Sequence, residues 1–350
     1  MSVDTSLTGA KVTLSDVARA SGVSPATVSL ALRNKAGISV NTRQRVLDAA
    51  QTLGYLLQPT HKTSARSNID SIGVIIKTGA DDLAMTHSFY GPVLAGIEEV
   101  CRRQQVHLVY ANLLVDIDNR PVDLPRLLLE HHTDGLLLVG MQMNQAALAL
   151  IQQQSAPVGL VDAYVEGDPY DAVVTDNFAG AYQATTHLIE QGHRHIAIVG
   201  SQPQTFPSIM ERRAGYCQAL REHDLEPYFW DCSIWPKAAY ATAFDYLCRP
   251  PSPITAFFAC NDAVAISLIR AMQEQGYQVP ADFSVIGFDD VDPAQHTTPS
   301  LTTMRVDKIG MGRLAAQLLM NRIEYPAAAN IRACLRPSLI ERKSVAAIPS

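Results

Sequence analysis

The chain has 350 residues, enough for about two or three domains, with 47% hydrophobic residues, 18% charged residues and a formal net charge of −6. This is an ordinary globular composition, and the negative charge argues against a protein that coats nucleic acid. No apolar run is long enough to span a bilayer, and MSVDTSLTGAKVTL lacks the basic start and apolar core of a secretory signal, so a cytoplasmic, membrane-free protein is expected. None of the six cysteines sits in a CxxC pair or at zinc spacing with histidine, so they read as reduced, mostly buried thiols.

The charge is unevenly placed. Residues 11–66 carry eight basic side chains (Lys11, Arg19, Arg33, Lys35, Arg43, Arg45, Lys62, Arg66) against only Asp16 and Asp48. A basic end on an acidic body is the asymmetry of a DNA-reading head joined to a control domain.

The first helix is expected after Thr13, where Thr13 and Asp16 fit a capping box. Gly22 breaks it, Ser24 caps the next helix, and Pro25 occupies its first position, where a missing N–H costs nothing. Val28, Ala31 and Leu32 share one side of this second helix; Ala26, Ser29, Leu30 and Arg33 share the other. A third helix is expected with Asn41 and Gln44 as a capping box, a stripe of Val46, Ala49, Ala50 and Leu53, and a stop at Gly54. Three short helices with a tight turn between the first two make a helix-turn-helix. Ala18, Gly22 and Val28 stand four, eight and fourteen residues after Leu14, the spacing of small residue, corner and plug.

TLSDVARASGVSPATVSLAL, residues 13–32, resembles the headpiece of the LacI/GalR family of transcriptional regulators. The resemblance implies that the second helix enters the major groove of operator DNA. It places Pro25, Ala26 and Leu30 against bases, and Thr13, Ser24, Thr27, Ser29, Arg33 and Asn34 among the DNA contacts. The base-facing trio is apolar, so it can touch a thymine methyl but makes no bidentate hydrogen bond. In the family a short helix follows, whose leucine wedges into the minor groove; here the wedge position falls on Ser64, and LLQPTHKTSARSN is a poor helix. A hinge over 59–70 would then touch phosphate through Lys62 or Arg66, or act as a plain linker.

From residue 70 the chain alternates apolar runs with helical stretches. SIGVIIK (71–77), VHLVYAN (106–112), DGLLLVG (134–140) and PVGLVDA (157–163) read as buried parallel strands. A second set begins with AVVTDN (172–177) and continues through HIAIVGS (195–201), ITAFFACN (254–261) and FSVIGFDD (283–290). Two sets of βα units predict two doubly wound α/β subdomains facing a cleft, with ligand-binding residues just past the strands. The expected division is a tail (1–10), a head (11–58), the hinge (59–70) and a body (71–345). Within the body, one subdomain takes 71–174 and 306–333, and the other takes 175–305 and 334–345. A helix over Lys308–Ile323 is expected to bury Ile309, Leu314, Leu318 and Leu319 against the first subdomain.

The same resemblance extends from residue 12 to about 345 and implies a periplasmic-binding-protein-like body with a small-molecule effector in the cleft. ERRAGY (211–216) places the effector arginine on Arg212, and Ile286–Asp289 places the effector aspartate on Asp289. Asp176, Asn261, the aromatics Phe89 and Tyr90, Trp235 (or its neighbour Ile234) and Met141 complete the expected pocket, Met141 giving it an apolar floor. Plainer roles stand beside these. Asp176 and Asn261 could only cap helices, Arg212 could pair with a surface acid, Asp289 could be a turn residue, and Phe89 and Tyr90 could be core. The carboxylates, guanidinium and amide with an aromatic wall suit a sugar, with a purine or other metabolite as the alternative.

No cofactor or metal is expected, since His131-His132 and His193-x-His195 have no acidic or cysteine ligand at matching spacing. GxGxxG and P-loop motifs are missing, and so is a nucleophile motif, which argues against an enzyme. A transporter's solute-binding protein would share the body but not the head. One head reads one half-site, so a homodimer on a pseudo-palindromic operator is expected.

Overall fold

A computed structural model describes residues 12–32, 38–53, 55, 69–79, 83–116, 121–130, 132–141, 145–165, 167, 169–203, 205–247 and 253–348. The chain forms two compact units, Met1–Arg66 and Ser67–Ser350.

The head contains α1 (Leu14–Ser21), α2 (Pro25–Leu32) and α3 (Val40–Thr52). The Asp16 carboxylate accepts from the Thr13 backbone N–H (2.9 Å) and hydroxyl (2.6 Å), which fixes the start of α1. Gly22 ends it at φ +65°, a conformation that costs glycine nothing. Val17, Ala18, Val28, Ala31, Val46 and Ala50 form the core. Such small side chains let three short helices approach closely. Ser39 caps α3, accepting from the Thr42 N–H at 3.1 Å. The expected capping box at Asn41 is therefore corrected: Asn41 lies inside the helix, and Gln44 donates forward to Asp48 (2.9 Å). Arg45 donates to the Ser21 carbonyl (2.7 Å) and Arg43 to the Ala31 carbonyl (3.1 Å). Both cations sit at helix C-termini, where carbonyls lack partners and the helix dipole is negative.

The body runs β1 (Ser71–Gly79), α4 (Leu83–Gln104), β2 (His107–Val115), α5 (Arg126–Leu129), β3 (Gly135–Val139), α6 (Gln145–Gln152), β4 (Val158–Val161) and β5 (Asp171–Thr175). It continues with α7 (Asn177–Glu190), β6 (Ile196–Val199), α8 (Pro207–Glu222), β7 (Tyr228–Trp230), α9 (Pro236–Leu247), β8 (Ala256–Ala259), α10 (Asp262–Glu274) and β9 (Ser284–Asp289). The last elements are α11 (Asp292–His296), β10 (Thr302–Arg305), α12 (Lys308–Glu324), β11 (Arg332–Leu335) and β12 (Ser338–Ile340). One sheet has the order β11-β5-β4-β3-β1-β2 and is parallel throughout; the other is β12-β10-β9-β8-β6-β7, with only β12 antiparallel. In each, the order reverses beside the first strand, the switch point where α/β sheets open a crevice.

The chain passes between subdomains three times: at Asp176, at Val306–Asp307 and at Arg336–Pro337. Three expectations change here. AVVTDN does not begin the second set, because Asp171–Thr175 pairs with β4 and β11 in the first sheet. The boundary expected after residue 333 falls inside β11, which stays in the first sheet to Leu335. Finally, β2 is only partly buried: it is an edge strand, with Val109 and Tyr110 45% and 59% exposed, while Leu113 and Val115 at its end reach the core.

In α12 the buried face is Met311, Gly312, Ala315, Ala316 and Leu319, while Ile309 is exposed, against expectation. Small residues define that face because α12 lies directly on α4. A Cβ added to Gly312 would run into the Val93 carbonyl, and one on Gly96 into the Ile309 carbonyl. Gly312→Ala is therefore expected to destabilise the body by about 1–3 kcal/mol, seen as a lower melting point. An unchanged melting point would show that the two helices part freely.

Asp262, the first residue of α10, is almost fully buried and ties three elements together. It accepts from the Thr303 hydroxyl of β10 (2.5 Å) and from the Val291 N–H beyond β9 (2.9 Å). Burial, then the nearby Asp289 charge, pushes its carboxyl well above the ordinary 3.8. At intermediate pH the folded state then keeps a proton that the unfolded state has released. The group costs nothing below 3.8 and increasingly more as pH rises toward its raised folded value. The melting-point difference between Asp262→Asn and the parent should thus shift in the variant's favour from about pH 5 to about pH 8. A flat difference would mean that the carboxylate is ionised and fully compensated.

Candidate functional site

A cavity of about 310 Å³ opens in the body between the two sheets. It lies past the carboxyl ends of their strands, as the topology requires. Lys77 of β1, Phe89 and Tyr90 of α4, Met141 after β3, and Asp162 and Tyr164 after β4 line one side. Phe206 and Arg212 at α8, Ile234 and Trp235 before α9, Asn261 after β8 and Asp289 at the end of β9 line the other.

Arg212 is buried, and its guanidinium is held on three sides. Nε donates to the Asn177 Oδ1 (2.8 Å), Nη1 to the Cys260 carbonyl and Nη2 to the Asp289 Oδ1 (3.3 Å). Its flat face rests on Phe288, 3.7 Å from the ring centroid. Burial pushes the Asp289 carboxyl up, against the pull of Arg212 and Lys308. Lys308 reaches over from the start of α12 to donate to the carbonyls of Asp289 and Asp290 (3.0 Å to the latter). Asp289 and Asp290 both have positive φ, +114° and +51°, a conformation that non-glycine residues adopt only when their surroundings enforce it. Lys308 holds both of their carbonyls, Arg212 holds the Asp289 carboxylate, and Arg305 and Arg342 hold the Asp290 carboxylate at 2.6 Å each.

Across the cavity the Tyr90 hydroxyl donates to Asp162 Oδ2 (2.9 Å), and Phe89 meets Tyr90 edge to face with ring centroids 5.0 Å apart. Burial raises both titrating groups; the Asp162 charge lifts Tyr90 further, while the Tyr90 bond and Arg212 pull Asp162 back. The Lys77 ammonium lies over the Phe206 ring at 4.3 Å. Together these groups offer carboxylate oxygens, guanidinium, ammonium and amide hydrogens beside aromatic faces. That is a surface for a compact, polyhydroxylated or heterocyclic ligand.

Of the residues anticipated for the pocket, Phe89, Tyr90, Met141, Arg212, Trp235, Asn261 and Asp289 line the cavity, as does Ile234. Asn261 also caps α10, accepting from the Val264 N–H (2.8 Å), so it lines the cavity and caps a helix at once. Asp176 does not line the cavity. It caps α7 through the Ala179 N–H (3.0 Å), and the carboxylate on that side is Asp162. Asp162 was hidden because the run PVGLVDA reads as strand through residue 163, whereas β4 stops at Val161. Lys77, Tyr164 and Phe206 were also missed: one is a strand residue, and the others sit in connections of no distinctive pattern. His193 bonds the Thr255 hydroxyl and the Ala346 carbonyl, and His195 the Tyr228 hydroxyl. Among the described residues no group of His, Cys, Asp and Glu could hold a metal ion, and no helix is long and apolar enough to cross a membrane.

On the head, Ser24, Pro25, Ala26 and Leu30 are exposed along α2, with Thr27 and Ser29 half-buried between them. Ser24 accepts from the Thr27 N–H (3.2 Å) and shares a hydrogen bond with the Thr27 hydroxyl (2.9 Å). Thr13 belongs to the cap of α1. Arg33, Asn34, Lys62 and Arg66, and the hinge position Ser64, lie outside the described residues.

Comparisons with known proteins agree with this arrangement. Residues 13–58 match the bacterial regulatory proteins of the lacI family, and residues 185–345 match the periplasmic binding protein-like domain. The HTH-type transcriptional repressor CytR of Escherichia coli is 31% identical over 339 residues, covering 96% of this chain and 97% of that one. The HTH-type transcriptional repressor PurR of Mannheimia succiniciproducens is 30% identical over 337 residues, covering 95% and 98%. Among solved structures, a complex of the transcriptional regulator CelR with cellobiose superposes with a TM-score of 0.68 at 26% identity, covering 95% of this chain and 99% of that one. With a helix-turn-helix head and a cleft-bearing body both matched over nearly the full length of such relatives, this chain belongs to the lacI family of DNA-binding transcriptional regulators.

Proposed function

We propose that the chain is a repressor whose head reads operator DNA through α2 and whose body senses a sugar or sugar derivative in the cleft. The observation that carries the sensing role is the cavity itself, where Arg212, Asp289, Asp162 and Asn261 converge from both subdomains. Carboxylates that accept and a guanidinium and amide that donate suit vicinal hydroxyls, and Phe206 or Trp235 offers an apolar ring face to a sugar. The CelR complex, with cellobiose bound, supports the same class. A purine is the second reading, favoured by the number of aromatic rings at the cavity and by the likeness to PurR.

On the DNA side, Pro25, Ala26 and Leu30 would face bases. Ser24, Thr27, Ser29 and Arg33 would meet phosphates, with Thr13 and Asn34 beside them and Lys62 and Arg66 in the hinge. Two heads, one from each copy of a homodimer, suit a pseudo-palindromic site. Effector and operator would then change each other's affinity by the same factor. The protein would work in the cytoplasm, without a cofactor and without turning over its ligand.

Thermal unfolding against D-ribose, D-glucose, cellobiose, cytidine, adenine and hypoxanthine tests the sensing role. A compound that binds only the folded state at a hundred times its Kd adds about 2.7 kcal/mol of stability. A rise with a sugar is expected, and a rise with a purine base alone would favour the second reading. Arg212→Ala should abolish that rise while operator binding persists; it should also lower the basal melting point, because buried Asp289 loses the counter-charge bonded to its carboxylate and keeps only Lys308. Loss of operator binding with the ligand response intact would reverse the assignment. For the head, Ala26→Gln should change the sequences recovered from a random DNA library, since a glutamine pairing two-pronged with adenine discriminates by about 1–3 kcal/mol. An unchanged preference would mean that residue 26 does not face the bases.

A further inference from the structure

A two-subdomain body closes by bending where the chain crosses between its halves, and a few residues at element ends absorb the change. Asn177, the first residue of α7, stands at the first crossing and is fully buried. Its carboxamide oxygen accepts from Arg212 Nε (2.8 Å). Its amide nitrogen faces the Thr175 carbonyl (3.0 Å), the Tyr164 hydroxyl (2.8 Å) and the Glu211 Oε2 (3.2 Å). A guanidinium has no acceptor, so the amide can sit only this way round.

Glu211 extends the arrangement across the two halves. It precedes Arg212 on α8, in the second subdomain. Its Oε2 also lies 3.3 Å from the Tyr164 hydroxyl, and its Oε1 3.4 Å from Arg332. Tyr164 follows β4 and Arg332 opens β11, both in the first subdomain, and the Arg332 guanidinium lies 5.3 Å from the centre of the Tyr164 ring. Adjacent residues of one helix thus serve two purposes: Arg212 faces the cavity, and Glu211 holds the opposite half beside the first and third crossings. Tyr164 belongs to both, since it lines the cavity as well.

We propose that Glu211 forms with Tyr164 and Arg332 a latch between the subdomains that governs how freely the body opens, with the Asn177 amide joining that latch to Arg212. A ligand group that draws on Arg212 or on the Tyr164 hydroxyl pulls on the latch through one shared amide. This role gives the sensing reading above its mechanical link, yet the latch can be tested with neither ligand nor operator, so the two fail separately.

The experiment is hydrogen exchange, followed by mass spectrometry, on the full chain and its variants alone. The reporters are the amides at the first crossing: Asp176, which donates to the Leu335 carbonyl (2.8 Å), and Ala179 and Gly180, which donate to Asp176 (3.0 Å each). Tyr164→Phe and Glu211→Leu should each speed exchange there about threefold or more, and the double variant should exceed the larger single effect little, because both break one network. Glu211→Gln keeps an accepting oxygen and should show a smaller rise than Glu211→Leu. Peptides from β3 and β8 should exchange as in the parent. No change at the crossing would overturn the proposal. So would a rise spread equally over β3 and β8, which would make these bonds supports of the whole fold rather than a latch.

Discussion

A guanidinium taken out of water must be met on every side, because it does not lose its proton. Arg212 is such a group, and much of the second subdomain's cleft edge is arranged by what it needs. The carbonyl at the end of β8, the carboxylate at the end of β9 and the amide at the start of α7 are all turned toward it. Those are the places where strand ends and a helix start leave polar valences open. The positive φ values at Asp289 and Asp290 are part of the same bargain, since the backbone is bent to present one carboxylate inward and the other to Arg305 and Arg342. Arg212, Asp289 and Asp162 all line the cavity, which makes the site receptive to a polar guest.

The head shows a similar use of charge within the fold. Counting basic residues in the first part of the chain points toward DNA, but Arg43 and Arg45 also serve the helix ends of α1 and α2. Part of the positive excess is therefore structural. Among the described residues, the open surface of α2 carries hydroxyls at Ser24, Thr27 and Ser29 beside apolar Pro25, Ala26 and Leu30, and no charge.

Much of this was legible from residue patterns. Apolar runs of valine, isoleucine and leucine marked the buried strands, and Thr13, Gly22 and Pro25 punctuated the head, because these signals depend on local physics. Asn261 was legible as a polar residue past a strand, and Arg212 and Asp289 through the resemblance carried by ERRAGY and Ile286–Asp289. The misses have non-local causes. β2 is as apolar as its neighbours, and only its place at the sheet edge exposes it. β5 follows the first set of strands in space because β11, more than 150 residues later, completes its pairing. Asp162, just past the end of β4, looked like strand because an apolar alanine follows it, and Asp176 spends its carboxylate on a cap because the first turn of α7 needs an acceptor. At α3, a serine hydroxyl one residue before the helix outcompetes the asparagine two residues later, since only the former precedes the first turn.

The three crossings carry a consequence for how the body comes into being. The first sheet needs β11, and its helical cover needs α12; the second sheet needs β12. Neither half is a continuous piece of chain. During synthesis, β1 to β5 emerge with one edge of their sheet open and the face beneath α12 bare until α12 and β11 have left the ribosome. The early segment must therefore wait with exposed apolar surface while the whole second subdomain is made, and this is the period in which a growing chain is most exposed to aggregation. For the same reason the two halves cannot be parted by a single cut, and they are completed together.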